Sequence, residues 1–175
     1  DNIPIHIDYV QVLRKRQQHL AAKEQAWQLL EREPSNPQFQ SIYAVQCMQS
    51  GQFDEALATF DELLKVLPND PVTLTSQGHA LKTKGESTSA ITSYRQAIAS
   101  YPRHGEAYFS LANLKTYRFS DEEIQQMLVL QQDDNLSFME RVHLCFALGK
   151  AFEDNKDIEQ SFDLYEQGNH LKKSQ

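Results

Sequence analysis

This chain is poor in most features that announce chemistry or an unusual environment. Of its 175 residues only two are cysteine, Cys47 and Cys145, far apart and each inside an apolar helical pattern. Neither has a partner at a zinc-ligand spacing, so both read as small buried hydrophobes in a reducing, cytoplasmic compartment. Six glycines and six prolines are too few for long flexible linkers. No apolar run approaches the ~18 residues of a membrane span. The opening Asp1-Asn2-Ile3-Pro4 lacks the basic-then-apolar order of a signal peptide. Positive charge is also scarce: the formal net charge is −7, and the clusters Arg14-Lys15-Arg16 and Lys172-Lys173 lie near the chain ends. That balance argues against a nucleic-acid backbone as partner, and no membrane partner is expected. The six histidines show no metal spacing, and no nucleophile motif or Gly-x-x-x-x-Gly-Lys-Ser/Thr run occurs.

What the chain has is a period. Pro34, Pro68 and Pro102 stand 34 residues apart, and so do Ala22, Ala56 and Ala90, the pair Gly51 and Gly85, and the pair Phe60 and Tyr94. Self-similarity at this interval signals stacked helical hairpins, one per period, of which a chain this long holds about five. Apolar residues recur at helical spacing through Phe39, Ile42, Tyr43 and Cys47, and Gly51 is placed to end that helix in the left-handed conformation. A second helix follows through Ala56, Phe60 and Leu63 to Pro68, and Pro71 to Pro102 repeats the scheme. Ala44, Gly78 and Ala112, again one period apart, leave room for the facing helix, whose Ala56 or Ala90 does the same from the other side.

These positions resemble the tetratricopeptide repeat, with its small residue in the first helix, Gly at the turn, Ala and an aromatic in the second helix, and a closing Pro. Gly78, Gly85, Ala90, Tyr94, Ala97 and Pro102 match most fully. Ala44, Gly51, Phe53, Ala56, Phe60 and Pro68 also match. The first unit is weaker, with Gln17 where Gly is usual and Ala26 where an aromatic is usual, as suits a terminal repeat. The resemblance implies an all-α, right-handed superhelix of antiparallel helix pairs spanning 1–175. Its units fall near 3–36, 37–70, 71–104, 105–136 and 137–175. The fourth is irregular: Thr116 to Ser120 replaces its Gly turn. Ser120 with Glu123, and Ser137 with Glu140, read as capping boxes.

The irregular stretch carries a narrower resemblance. Leu111-Ala112-Asn113-Leu114-Lys115-Thr116, with Leu148-Gly149-Lys150-Ala151-Phe152-Glu153-Asp154, is similar to the repeats that precede the catalytic domain in bacterial TPR-sulfotransferase proteins. This implies a non-catalytic repeat segment whose parent protein uses phosphoadenosine phosphosulfate (PAPS) in a domain beyond Gln175. The partner would be a protein or peptide, or that downstream domain of the same chain. The alternative is a free-standing adaptor holding a partner peptide in its concave groove. No catalytic, cofactor or metal residue is expected in this segment. The first helices of the repeats are expected to line the groove, with Val45, Met48, Thr75, His79 and Lys82 from the earlier units. Phe109, Asn113, Thr116 and Tyr117 are expected from the fourth. The lysine-asparagine-arginine clamp that some such repeats use for acidic chaperone tails is not expected, since only Asn113 and Lys82 match it in kind.

Overall fold

Ten α-helices and no strand make up the computed structural model, which describes residues 2–174. They are α1 (Ile3–Lys15), α2 (His19–Arg32), α3 (Pro37–Gln49), α4 (Phe53–Val66), α5 (Pro71–Lys84), α6 (Ser87–Ser100), α7 (Gly105–Ala112), α8 (Asp121–Gln131), α9 (Phe138–Asp154) and α10 (Ile158–Lys173). The chain falls into two compact units, one ending at Ser93 and the other starting at Tyr94, so the division runs through α6. The outer bounds expected from sequence, 1 and 175, lie outside the described residues.

Local chemistry sets the helix ends of the first unit. Asn36 and Asp70 each stand before a proline at the first helical position. The Asn36 side chain accepts from Gln38 N at 3.0 Å, and that of Asp70 from Thr73 N at 2.8 Å. Such caps satisfy amides the helix cannot, and proline has no N–H to lose there. The turns between paired helices share one backbone solution. Gln17, Gly51 and Gly85 have φ of 59°, 78° and 87°. Glycine reaches this region freely, whereas Gln17 carries its Cβ into it at a cost.

Small residues then let the helices close. Ala22, Ala26, Ala44 and Ala56 are fully buried beside Phe39, Tyr43 and Phe60 in one apolar core of the first unit. Burying a Phe60 or a Leu29 this completely is worth about 1.5–3 kcal/mol each. Between α4 and α5, Gln77 Nε2 donates to Asp61 Oδ1 at 2.9 Å and Lys84 Nζ pairs with Asp54 Oδ1 at 2.7 Å.

The second unit obeys the same rules with different parts. α7 has 8 residues where α5 has 14. The chain then leaves the helix, burying Leu114 and Phe119, and re-enters at α8 through a full capping box of Ser120 and Glu123. A second capping box, Ser137 with Glu140, opens the 17-residue α9. Arg141 satisfies the end of α8: its guanidinium donates to Gln131 O at 2.5 Å and Asp133 O at 2.9 Å. α7 and α9 touch closely at Gly105, where a Cβ would meet the Glu140 carbonyl oxygen at 2.6 Å. The last hairpin turns at Lys156, φ 63°, and Ser161 Oγ donates to Gly149 O at 2.8 Å across it.

Candidate functional site

The residues expected to form a groove divide between the two units. In the first, Val45 and Met48 are half-buried against the apolar core. Thr75 is buried, with its hydroxyl donating to Pro71 O at 2.7 Å, so it offers a partner nothing. His79 is half-buried and Lys82 exposed. In the second unit, Phe109 lies on α7, stacked on His143 with ring centroids 5.3 Å apart and tilted against Phe146 at 6.1 Å. Asn113 is the C-cap of α7 and exposed. Thr116 and Tyr117 differ from expectation. α7 ends at Ala112, so both stand in the turn and neither is on a first helix.

The second unit has two concavities, and only the smaller includes any of these residues, Phe109 and Asn113. Phe109, Ala112, Asn113, Lys115, Phe146, Lys150 and Tyr165 border a hollow of about 290 Å³. The larger feature is a cleft of about 950 Å³ between α6 and α8. Ile98, Ala99, Tyr108 and Leu130 supply apolar lining, and Val129 beside them is exposed. Burial pushes the Tyr108 phenol up to about 12, so it faces the cleft as a neutral ring.

Glu123 organises the rim of that cleft. Its Oε2 accepts from Ser120 N at 2.8 Å, closing the capping box, while Tyr117 Oη donates to its Oε1 at 2.5 Å. Arg95 Nε stands 3.9 Å from the same oxygen. Burial first, and then the bond to this carboxylate, raises the Tyr117 phenol above its ordinary value. The tyrosine therefore serves as a fixed donor that aims Glu123, and it is not a titrating group.

A smaller counterpart occurs in the first unit, bounded by Trp27, Leu30, Pro34 and Glu55, with a volume of about 530 Å³. Those four positions lie two periods before Arg95, Ile98, Pro102 and Glu123. Glu55 likewise accepts from a tyrosine, Tyr43, and pairs with Lys23 at 2.6 Å. The lysine chiefly, and Tyr43 next, hold its carboxyl below the ordinary value. The cleft is thus a repeat-encoded feature, enlarged where α7 is short. Inspection by first-helix register misses it because its residues come mainly from second helices. The 68-residue echo of Leu30-x-x-x-Pro34 in Ile98-x-x-x-Pro102 is the sequence signal that points to it.

Among the described residues no group of three His, Cys, Asp or Glu side chains could hold a metal ion, and no helix is long and apolar enough to cross a membrane.

Comparison with known proteins bears on the fold. A family model described as tetratricopeptide repeat matches residues 10–71 and 75–114. No curated protein matches the chain. Among solved structures, the putative kinesin light chain of Podosopora anserina, built of nearly identical TPR-like repeats, is similar with a TM-score of 0.69 at 16% identity. The match covers 99% of this chain and 96% of that one. MamA (41-end) from Desulfovibrio magneticus RS-1 gives 0.66 at 18% identity over 98% and 96%. YrrB, described as a TPR protein with an unusual peptide-binding site, gives 0.60 at 16% identity over 98% and 86%. At such identities the likeness is one of fold.

Proposed function

This chain belongs to the tetratricopeptide repeat family, and we propose from that premise that it is a protein-interaction scaffold whose second unit seats a peptide or helix of a partner. The α6–α8 cleft carries the reading. At about 950 Å³ it is large enough to take the apolar face of a short helix or an extended segment. Ile98, Tyr108 and Leu130 provide apolar contact, and Arg95, Glu122 and Glu123 provide a polar rim that fixes orientation. The hollow at Phe109 and Asn113 is a secondary contact surface of the same unit.

Selection of peptides from a display library on the purified chain tests the assignment. Enriched peptides should bind Val129→Asp at least about tenfold more weakly, an anchor-sized loss. Phe109→Ala with Asn113→Ala should cost less. Peptides indifferent to Val129→Asp would move the site off the cleft.

The finer reading is that these repeats are the non-catalytic segment of a larger sulfotransferase. One arrangement favours it: the two stretches that resemble that family come together. α7 packs on α9, Arg118 Nη1 stands 3.6 Å from Asp154 Oδ2, and Lys115 and Lys150 border one hollow. PAPS itself does not fit the residues present. A phosphate cradle needs free backbone N–H groups in a Gly-rich loop. The two turn glycines instead spend theirs on helix ends, Gly51 N on Met48 O and Gly85 N on Lys82 O. Intact mass of the native protein, with an assay of that protein for PAPS-dependent sulfate transfer, separates this reading from a free-standing adaptor. A native mass near that of the present chain with no transfer leaves the adaptor.

A further inference from the structure

The left-handed turn residue gives every regular hairpin a common origin for counting: Gln17, Gly51, Gly85 and Lys156. On the first helices, the positions twelve and eight before it face the preceding hairpin. In α3 these are Phe39 and Tyr43, 2% and 4% exposed. In α1 they are Ile5 and Tyr9, 63% and 49% exposed, with Val12 also open. On the second helices, the positions two and six after the turn are Phe53 and Leu57 in α4, both half-buried. In α10 they are Ile158 and Phe162, 65% and 64% exposed. α1 and α10 therefore bear the two halves of one interface type that the molecule builds internally.

We propose that a second copy of this chain covers both faces, α1 of one copy stacking on α10 of another as α5 stacks on α4. The internal interfaces show which groups then meet. Lys84, one before its turn, pairs with Asp54, three after the previous turn. The same positions in the first and last hairpins are Arg16, the C-cap of α1, and Glu159 of α10, again a cation and a carboxylate. Gln77, eight before its turn, donates to Asp61, ten after the previous one. Those positions hold Tyr9 and Glu166, a phenol donor and an acceptor.

The α2–α3 interface gives the same alignment independently. Tyr43, at the Tyr9 position, packs on Trp27 with centroids 5.2 Å apart and lies under Lys23 at 5.7 Å. Trp27 and Lys23 hold the positions of Glu166 and Phe162, so Tyr9 of one copy meets Phe162 of the next. Charge agrees on the larger scale: the last turn and C-cap of α1 carry Arg14-Lys15-Arg16, while α10 exposes Glu159, Asp163 and Glu166 before its basic last turn. The contact is heterologous, head to tail, using different surfaces on the two copies.

Sedimentation of the purified chain over a concentration series tests this. The mean mass should rise above 20.2 kDa with concentration. Tyr9→Asp and Phe162→Asp should each raise the dissociation constant at least about tenfold, with helicity by circular dichroism unchanged because both side chains are exposed. Mixing the two variants should give a dimer and nothing larger, since one intact head and one intact tail remain. Arg16→Glu should weaken association, and adding Glu159→Arg to the same chain should restore it. A constant 20.2 kDa up to about 1 mM, association indifferent to Phe162→Asp, or a variant mixture that stays monomeric would overturn the proposal.

Discussion

The hairpins of the first unit and the α7–α8 segment of the second solve one problem by two chemistries. In the first unit a left-handed residue at 17 or 51 closes the turn, and a buried alanine at 22 or 56 admits the facing helix. The segment α7–α8 keeps the spacing and changes the parts. Ser120 stands one period after Glu86, and Ile124 one period after Ala90, where it is buried. With α7 cut to 8 residues, a side-chain capping box replaces the backbone turn, and a branched chain is buried at the alanine position. Register thus survives the loss of the turn glycine because the capping box supplies the same helix start. The wide cleft between α6 and α8 lies beside this segment.

Opposite substitutions at the equivalent positions give the largest expected effects. Ala56 has no exposed surface, so Ala56→Asp buries an unpaired charge and overpacks the hairpin, costing about 3 kcal/mol or more. Ile124→Ala in the second unit should cost about 2–4 kcal/mol, here by leaving a cavity. Urea midpoints of the two variants measure both. If Ala56→Asp left the midpoint unchanged, the shared repeat register would be wrong.

The turn chemistry separates the regions by sign. Ser120→Ala removes the oxygen that accepts from Glu123 N at 3.2 Å and should destabilise by about 1 kcal/mol. Gln17→Gly should stabilise by about 1 kcal/mol, because it relieves a side chain held at φ 59°. Thermal midpoints of the two variants should move in opposite directions from the parent. A fall for Gln17→Gly would mean that glycine's extra freedom in the unfolded chain outweighs the strain relieved.

The fold was legible because its markers are backbone demands. Gly51 and Gly85 sit where φ is positive, Pro37 and Pro71 where an N–H is dispensable, and the buried alanines where helices touch. The candidate surface was less legible. Nothing in Asn113 to Tyr117 forbids helix, so counting by register carried Thr116 and Tyr117 onto a helix that ends at Ala112. What ends it is tertiary: Leu114 and Phe119 are buried by leaving the helix, a gain that local propensity does not contain. The cleft residues Ile98, Val129 and Leu130 are ordinary helix-face types. Comparison two periods apart points to Ile98 alone, the counterpart of Leu30, because Val129 and Leu130 stand where Asp61 and Glu62 do.

The smallest expected effect is a difference in acid response between the regions, and it centres on His143. This ring is half-buried on α9 and stacked on Phe109. Burial chiefly holds its pKa below the ordinary 6.5. Glu106 and Glu140 pull it up, and His104 and Lys172 push it down. A histidine whose folded pKa is depressed is bound more firmly by the fold when neutral. Its stabilising contribution is complete above the unfolded value, falls as pH drops below about 6.5, and levels off once the pH passes the lower folded value. His143→Phe keeps an aromatic ring against Phe109 and removes the titration. The variant's urea midpoint should therefore decline less than the parent's between about pH 7 and 5. Equal declines in the two proteins would show that the acid sensitivity in this range does not lie on His143.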